Sequence, residues 1–180
     1  CTWMNMDALD GNQLMTCAGE VVETTVAKAV TKSGWDSPYD LGKNPANGAK
    51  YVCSTGDVHG PAIYVGFCGG CGITINDPAF KSGLSTNVGG KLPPSFGKQD
   101  GWHDAKAKGL PNRLITAVEI DPDNSKTVYV GLGFYMSPFR GPGSFGEDST
   151  GADAGGGHLF KSTDAGETLK DISGNLPKMA

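Results

Sequence analysis

No run of apolar residues in this 180-residue chain approaches the roughly 20 needed for a membrane-spanning helix. Positive charge is equally scarce. Lys and Arg number 15 against 19 Asp and Glu, they form no cluster, and the net charge is −4. A nucleic-acid partner would need a basic face to neutralise phosphates, so that class of ligand is excluded. Arginine occurs twice, at Arg113 and Arg140. Cys1-Thr2-Trp3 carries neither the charged start nor the apolar stretch of a signal peptide, which a mature or internal segment would also lack. Helical periodicity is nearly missing too. The one ambiguous segment is Gly19 to Lys32, where Val22, Val26, Ala29 and Val30 fit a helical stripe while the β-branched density fits a strand.

What the chain does have is turns. Gly accounts for 28 residues and Pro for 11, concentrated between short apolar runs, and this is the profile of an all-β protein. Strands are expected over Lys50–Ser54, Pro61–Phe67, Leu114–Ile120 and Thr127–Leu132, with outer strands over Gly157–Lys161 and Thr168–Ser173. Asp121-Pro122-Asp123-Asn124-Ser125 reads as a hairpin turn, because Asp and Asn side chains bond their own backbone and Pro presets φ. Trp35 to Gly48, rich in Pro, Asn and Gly, reads as a loop.

Two stretches repeat one another. Ala62-Ile63-Tyr64-Val65-Gly66-Phe67 aligns with Thr127-Val128-Tyr129-Val130-Gly131-Leu132, Phe80-Lys81-Ser82 with Phe160-Lys161-Ser162, and Gly109-Leu110-Pro111 with Gly174-Asn175-Leu176-Pro177. A repeat of this length is one supersecondary unit that buries its faces against neighbours. The second copy contains Ser162-Thr163-Asp164-Ala165-Gly166-Glu167-Thr168-Leu169, in which Ser and Asp can hold a tight turn through local amides and Gly supplies a positive φ.

This octet resembles the Asp-box, the S-x-D-x-G-x-T-W signature of the BNR-repeat β-propellers, with Leu169 in the place of the usual Trp. The likeness extends over most of Tyr51 to Pro177, and is nearest to bacterial BNR-repeat proteins described as glycosyl hydrolases. It implies antiparallel four-stranded blades, in which Ser162, Asp164, Gly166 and Thr168 are structural and lie away from any active face. The first copy is degenerate at the box, with Trp102 falling where Leu169 does, and Thr2-Trp3 matches Thr168-Leu169 as the tail of a further box. The domain reading is therefore a partial β-propeller over 1–180. It comprises a remnant of a preceding blade plus a connection over 1–50, a degenerate blade over 51–112 and a blade with the box over 113–180. A closed propeller takes about four to eight blades, so a segment of a longer polypeptide, or one member of an assembly, is expected.

Candidate chemistry is thinner. Two long inserts, Asn87–Gly101 and Ser137–Gly157, interrupt the repeat, and the second offers Arg140, Phe145, Glu147, Asp148 and Asp153 as a binding loop or as a solvated glycine-loosened insert. Glu147, Asp148 and Asp153 are oxygen ligands that suit calcium, although their spacing matches no standard calcium loop; no other cofactor is expected. Cys68-Gly69-Gly70-Cys71 fails as a haem site because Gly72 follows, and lacks the second ligand pair of a zinc site. A disulfide between Cys68 and Cys71 across a hairpin turn, free thiols, and a second bridge from Cys17 to Cys53 all stay open, with Cys1 unassigned. Several cysteines in a Gly-rich repeat point to an extracellular or periplasmic location. His59, His103 and His158 stand alone, so no metal site is assigned.

Glycoside hydrolysis would need two carboxylates across the scissile bond. Those outside turns are Asp57, Asp100, Asp104, Glu119, Glu147 and Asp148, and none sits in a catalytic motif; two arginines are too few for a sialidase triad. The reading favoured is a segment of a secreted propeller that binds a glycan or protein partner or acts as scaffold, with the rest of the propeller or neighbouring chains as its partners. The alternative is a segment of a glycoside hydrolase whose paired carboxylates are partly carried elsewhere.

Overall fold

The computed structural model describes residues 3–6, 12–17, 20–25, 36–40, 53–68, 82–94, 101–111, 115–132 and 158–176, with the first four stretches, 53, 54 and 68 described by their backbone course. These residues are mostly strand. β1 (Trp3–Met6), β2 (Asn12–Cys17), β3 (Glu20–Thr25) and β4 (Asp36–Asp40) form one four-stranded sheet. β5 (Cys53–His59), β6 (Ala62–Cys68), β7 (Gly83–Thr86) and β8 (His103–Asp104) form a second, and β9 (Ile115–Ile120), β10 (Val128–Leu132), β11 (Leu159–Ser162) and β12 (Lys170–Asp171) a third. Within each sheet consecutive strands are neighbours, and every pairing is antiparallel. The all-β class and the four-stranded antiparallel sheets agree with the sequence reading.

Two expectations need correction, and one open segment resolves. Residues 3–40 carry four strands of their own where a blade remnant was expected. Trp3 opens the first strand of that sheet, and β1 lies beside β5. The segment read as a loop from Trp35 holds β4, because Asp36, Tyr39 and Asp40 pair with Glu23, Val21 and Glu20 despite the Pro38 within the strand. Pro at such a place is tolerated on an edge strand, and β4 is an edge. The ambiguous Gly19–Lys32 segment resolves as strand over Glu20–Thr25, where β-branched residues outweigh the helical spacing.

The repeat alignment is corrected as well. Tyr64 lies opposite Thr86 and Tyr129 opposite Lys161, so Thr86 matches Lys161 and Asn87 matches Ser162. Phe80-Lys81-Ser82 therefore does not occupy the place of Phe160-Lys161-Ser162. The short triplet similarity was outvoted by strand register, which burial fixes.

Burial explains that register. In β9 the buried residues are Ile115, Val118 and Ile120, a phase change that strict alternation does not give. A register irregularity at Gly131/Leu132 supplies the extra residue, returning Val118 and Ile120 to the face that Ile115 occupies. That face packs against the second sheet. Tyr64, Leu84 and Val88 join Ile115, Val118, Ile120, Val128, Val130 and Phe160 in one cluster. Each fully buried aliphatic side chain contributes about 1.5–3 kcal/mol. Gly66 is where β6 and β9 come closest. A Cβ there would stand 2.5 Å from Ile115 Cγ2 and 3.1 Å from Val118 Cγ2.

Gly66→Ala is therefore expected to destabilise the fold by about 1–3 kcal/mol through overpacking. Urea unfolding should show a lower midpoint at unchanged slope; an unchanged midpoint would contradict the close approach of the two sheets.

Candidate functional site

The most densely bonded place in the described residues is the turn between β11 and β12, formed by the octet Ser162–Leu169. Ser162, 1 % exposed, ends β11 and is shielded from water. Its hydroxyl accepts from Asp164 N at 3.2 Å and Gly166 N at 2.9 Å, and donates to Asp164 Oδ1 at 2.8 Å. The Asp164 carboxylate also accepts from Thr168 N at 2.9 Å and from Thr168 Oγ1 at 2.5 Å. The side chains of Ser162, Asp164 and Thr168 are thus all used inside the turn. The backbone needs that support, since Ala165 (φ 61) as well as Gly166 (φ 85) lies in the left-handed region. Only glycine had been expected there.

The turn also reaches outward. Ala165 N donates to Lys126 O at 2.9 Å in the β9–β10 hairpin of the same sheet. On the other side the segment leaving β8 runs alongside it. Ala107 N donates to Gly166 O and Lys108 N to Glu167 O, both at 3.0 Å, while Leu169 N donates to Lys108 O at 2.8 Å. Lys108 and Thr168 form a parallel bridge, and Lys106 Nζ meets Glu167 Oε2 at 2.6 Å. Ala165 is buried, and the space a Cβ on Gly89 would need is held by the Ala165 methyl, 2.7 Å away. Leu169, in the place of the usual Trp, is 6 % exposed and belongs to the shared core. It directly precedes β12 as buried Trp102 directly precedes β8. The turn is a clasp between two sheets, which spacing alone did not reveal.

In the second sheet Asn87 holds the corresponding end of the third strand. Its Oδ1 accepts from Ile63 N at 2.9 Å and its Nδ2 donates to Pro61 O at 2.8 Å, while Thr86 Oγ1 donates to Ile63 O at 2.7 Å. Asn87, 0 % exposed, is therefore a fixed corner of the sheet although it begins a stretch read as an insert.

Two further polar side chains cross between sheets. Tyr64 Oη donates to Ser125 O at 2.8 Å, and burial pushes the phenol far above its ordinary pKa, so it remains a neutral donor. Asp57, buried on β5, accepts from Ile120 N at 2.8 Å through Oδ2. Glu119, exposed on β9, has its carboxyl raised above the ordinary range, first by partial desolvation and then by the Asp57 charge. Asp57 and Glu119 occupy matching places in the two sheets, opposite Tyr64 and Tyr129. Of the sequence carboxylates these two are brought together, whereas Asp104 turns to Ser85, whose hydroxyl donates to Oδ1 at 2.6 Å.

The other expected site residues fall elsewhere. Arg140, Phe145, Glu147, Asp148, Asp153, Asp100 and Cys71 lie outside the described residues. Cys68 ends β6 opposite Cys53 of β5 in the backbone register. Among the described residues no group of three His, Cys, Asp or Glu side chains converges as metal ligands, and no helix is long and apolar enough to cross a membrane. His103 Nδ1 lies 3.1 Å from Gly101 O, and His158 N donates to Ser173 Oγ at 2.7 Å. No family model and no curated protein matches the chain.

The clasp has a pH signature. Hydrogen bonds from Thr168 hold the Asp164 carboxyl below its ordinary range, and Lys106 does the same for Glu167. Carboxyls depressed in the native state stabilise it above their unfolded pKa, near 4, and lose that contribution as pH falls through the lower native value. Asp164→Asn is expected to lower stability at pH 7 by about 1–2 kcal/mol, the scale of one or two lost charge-assisted bonds. It should also flatten the acid limb of a stability-against-pH curve; equal acid limbs in variant and parent would remove Asp164 from this role.

Proposed function

We propose that the chain is a scaffold segment of an Asp-box β-propeller that binds a glycan or protein partner and does no chemistry of its own. The observation that carries this is the use of its polar side chains. Ser162, Asp164, Asn87, Tyr64 and Asp57 are all engaged with backbone groups, within a turn, within a sheet or between sheets. The adjacency of β1, β5 and β9, the first strands of three successive sheets, is the arrangement that radial repetition of blades would give. The partners in this reading are the rest of the propeller or neighbouring chains, with a glycan or protein ligand on the assembled surface. The cysteine usage supports a secreted setting.

A second reading has one observation in its favour. Asp57 bonds the N–H of Ile120, the residue after Glu119, so two carboxyl-bearing residues share one neighbourhood, and glycoside hydrolysis works through a pair of carboxyl groups. Against it, Asp57 is committed to Ile120 N.

The two readings separate on one assay. The protein is incubated with a panel of plant and microbial oligosaccharides, with release of reducing ends and retention on immobilised glycans both recorded. Scaffold function predicts no hydrolysis. Glu119→Gln should then leave reducing-end release at its background level. Hydrolysis abolished by Glu119→Gln would replace the scaffold reading by the enzymatic one.

A further inference from the structure

The face that the second sheet offers to the third is repeated, residue by residue, on the far side of the third. In the second sheet Asp57, Tyr64 and Thr86 are register partners in one row across β5, β6 and β7, and Gly66 lies opposite Leu84. This row is covered by the third sheet. Asp57 takes Ile120 N–H, Tyr64 bonds the Ser125 carbonyl, and Gly66 leaves room for Ile115. In the third sheet Glu119, Tyr129 and Lys161 form the matching row, and Gly131 lies opposite Leu159. Directly opposed partners share a face of a sheet, and Lys161 Nζ stands 5.0 Å over the Tyr129 ring. Val128 and Val130, on the other face, are the ones packed against the second sheet. Tyr129 and Lys161 therefore lie on the face turned away from it.

The edge repeats too. Leu110, at the end of the segment that receives the box turn, packs partly against the shared core. Its counterpart Leu176 is 52 % exposed, and Ile172 is 39 % exposed. Ile172, Lys161 and Leu169 help line a concavity of about 300 Å³ between β11 and the strand-end residues that follow the box. Among the described strands, those packed on the third sheet are β5 and β6, which lie on its buried face.

We infer that this outer face of the third sheet, with the Ile172–Leu176 edge, is a docking surface for a sheet of a second copy of this chain. The occupant follows from the chemistry of the interface already formed. An incoming four-stranded sheet must bring its first strand beside β9, a backbone N–H to Glu119 and a hairpin carbonyl to Tyr129. The chain places β1 beside β5 and β5 beside β9, so a copy entering head to tail would continue that series with its own β1. Such a contact is heterologous, so copies add on in one direction until the rotation closes a ring or runs on as a filament. The inference deepens the scaffold reading and rests on it; failure of that reading would appear as hydrolysis, not as a change in mass.

Sedimentation velocity over a concentration series tests it. The parent chain should pass from 18.6 kDa to larger species as concentration rises. Tyr129→Lys with Leu176→Lys should raise the concentration needed by about tenfold or more, with an unchanged unfolding temperature. If the double variant does not fold, Leu176→Lys alone, at an exposed position, decides in the same way. A parent that stays monomeric throughout, or an association that these substitutions leave unchanged, overturns the inference.

Discussion

Everything in the better-packed part of this molecule leans on the hydroxyl of Ser162. One buried oxygen accepts two backbone N–H groups and donates to the Asp164 carboxylate. That arrangement keeps two successive residues at positive φ, one of them an alanine that pays an energetic penalty for being there. Because the turn is held, its carbonyls and N–H groups project to both sides, one set to the β9–β10 hairpin and the other to the segment leaving β8. Remove the internal bonds and the outward ones lose their geometry. The hydrophobic cluster between the sheets then lacks the lid formed by Ala165 and Leu169.

The second sheet meets the same constraint with different residues. Where the third sheet ends its third strand with Ser162 and a box, the second uses Thr86 and Asn87, whose side chains bond back to Ile63 and Pro61. Both devices answer one problem, which is how to satisfy backbone donors and acceptors at a buried strand end. Different side chains can thus hold the same strand end in two sheets of like topology.

How much could be read beforehand follows from this. Strand content, the Asp121–Ser125 turn, the box and the equivalence of Trp102 with Leu169 are all local patterns, and local chemistry determines them. The first sheet escaped because its strands carry no box and one contains Pro38. The Phe80-Lys81-Ser82 pairing failed because three similar letters carry less information than a buried register. The inward commitment of Asp57 could not be seen in a string of residues, since its partner Ile120 comes from the next repeat. Nor could the nearness of Asp57 and Glu119, whose matching positions emerge only once each is counted from its opposing tyrosine.

The segment Ala105–Leu110 belongs fully to neither sheet. It leaves β8 and lies parallel to Thr168, whereas the described strands all pair antiparallel, and the chain then leads to β9. Its bonds therefore join residues far apart in sequence, while the sheets it links are built from neighbours along the chain. Folding order follows from that contrast, because nearby strands close cheaply and distant contacts wait for the ends to meet. Hairpins come first and the seam last. In the reverse direction the seam cannot open by itself, because the two sheets it joins share one hydrophobic cluster and would have to expose it together.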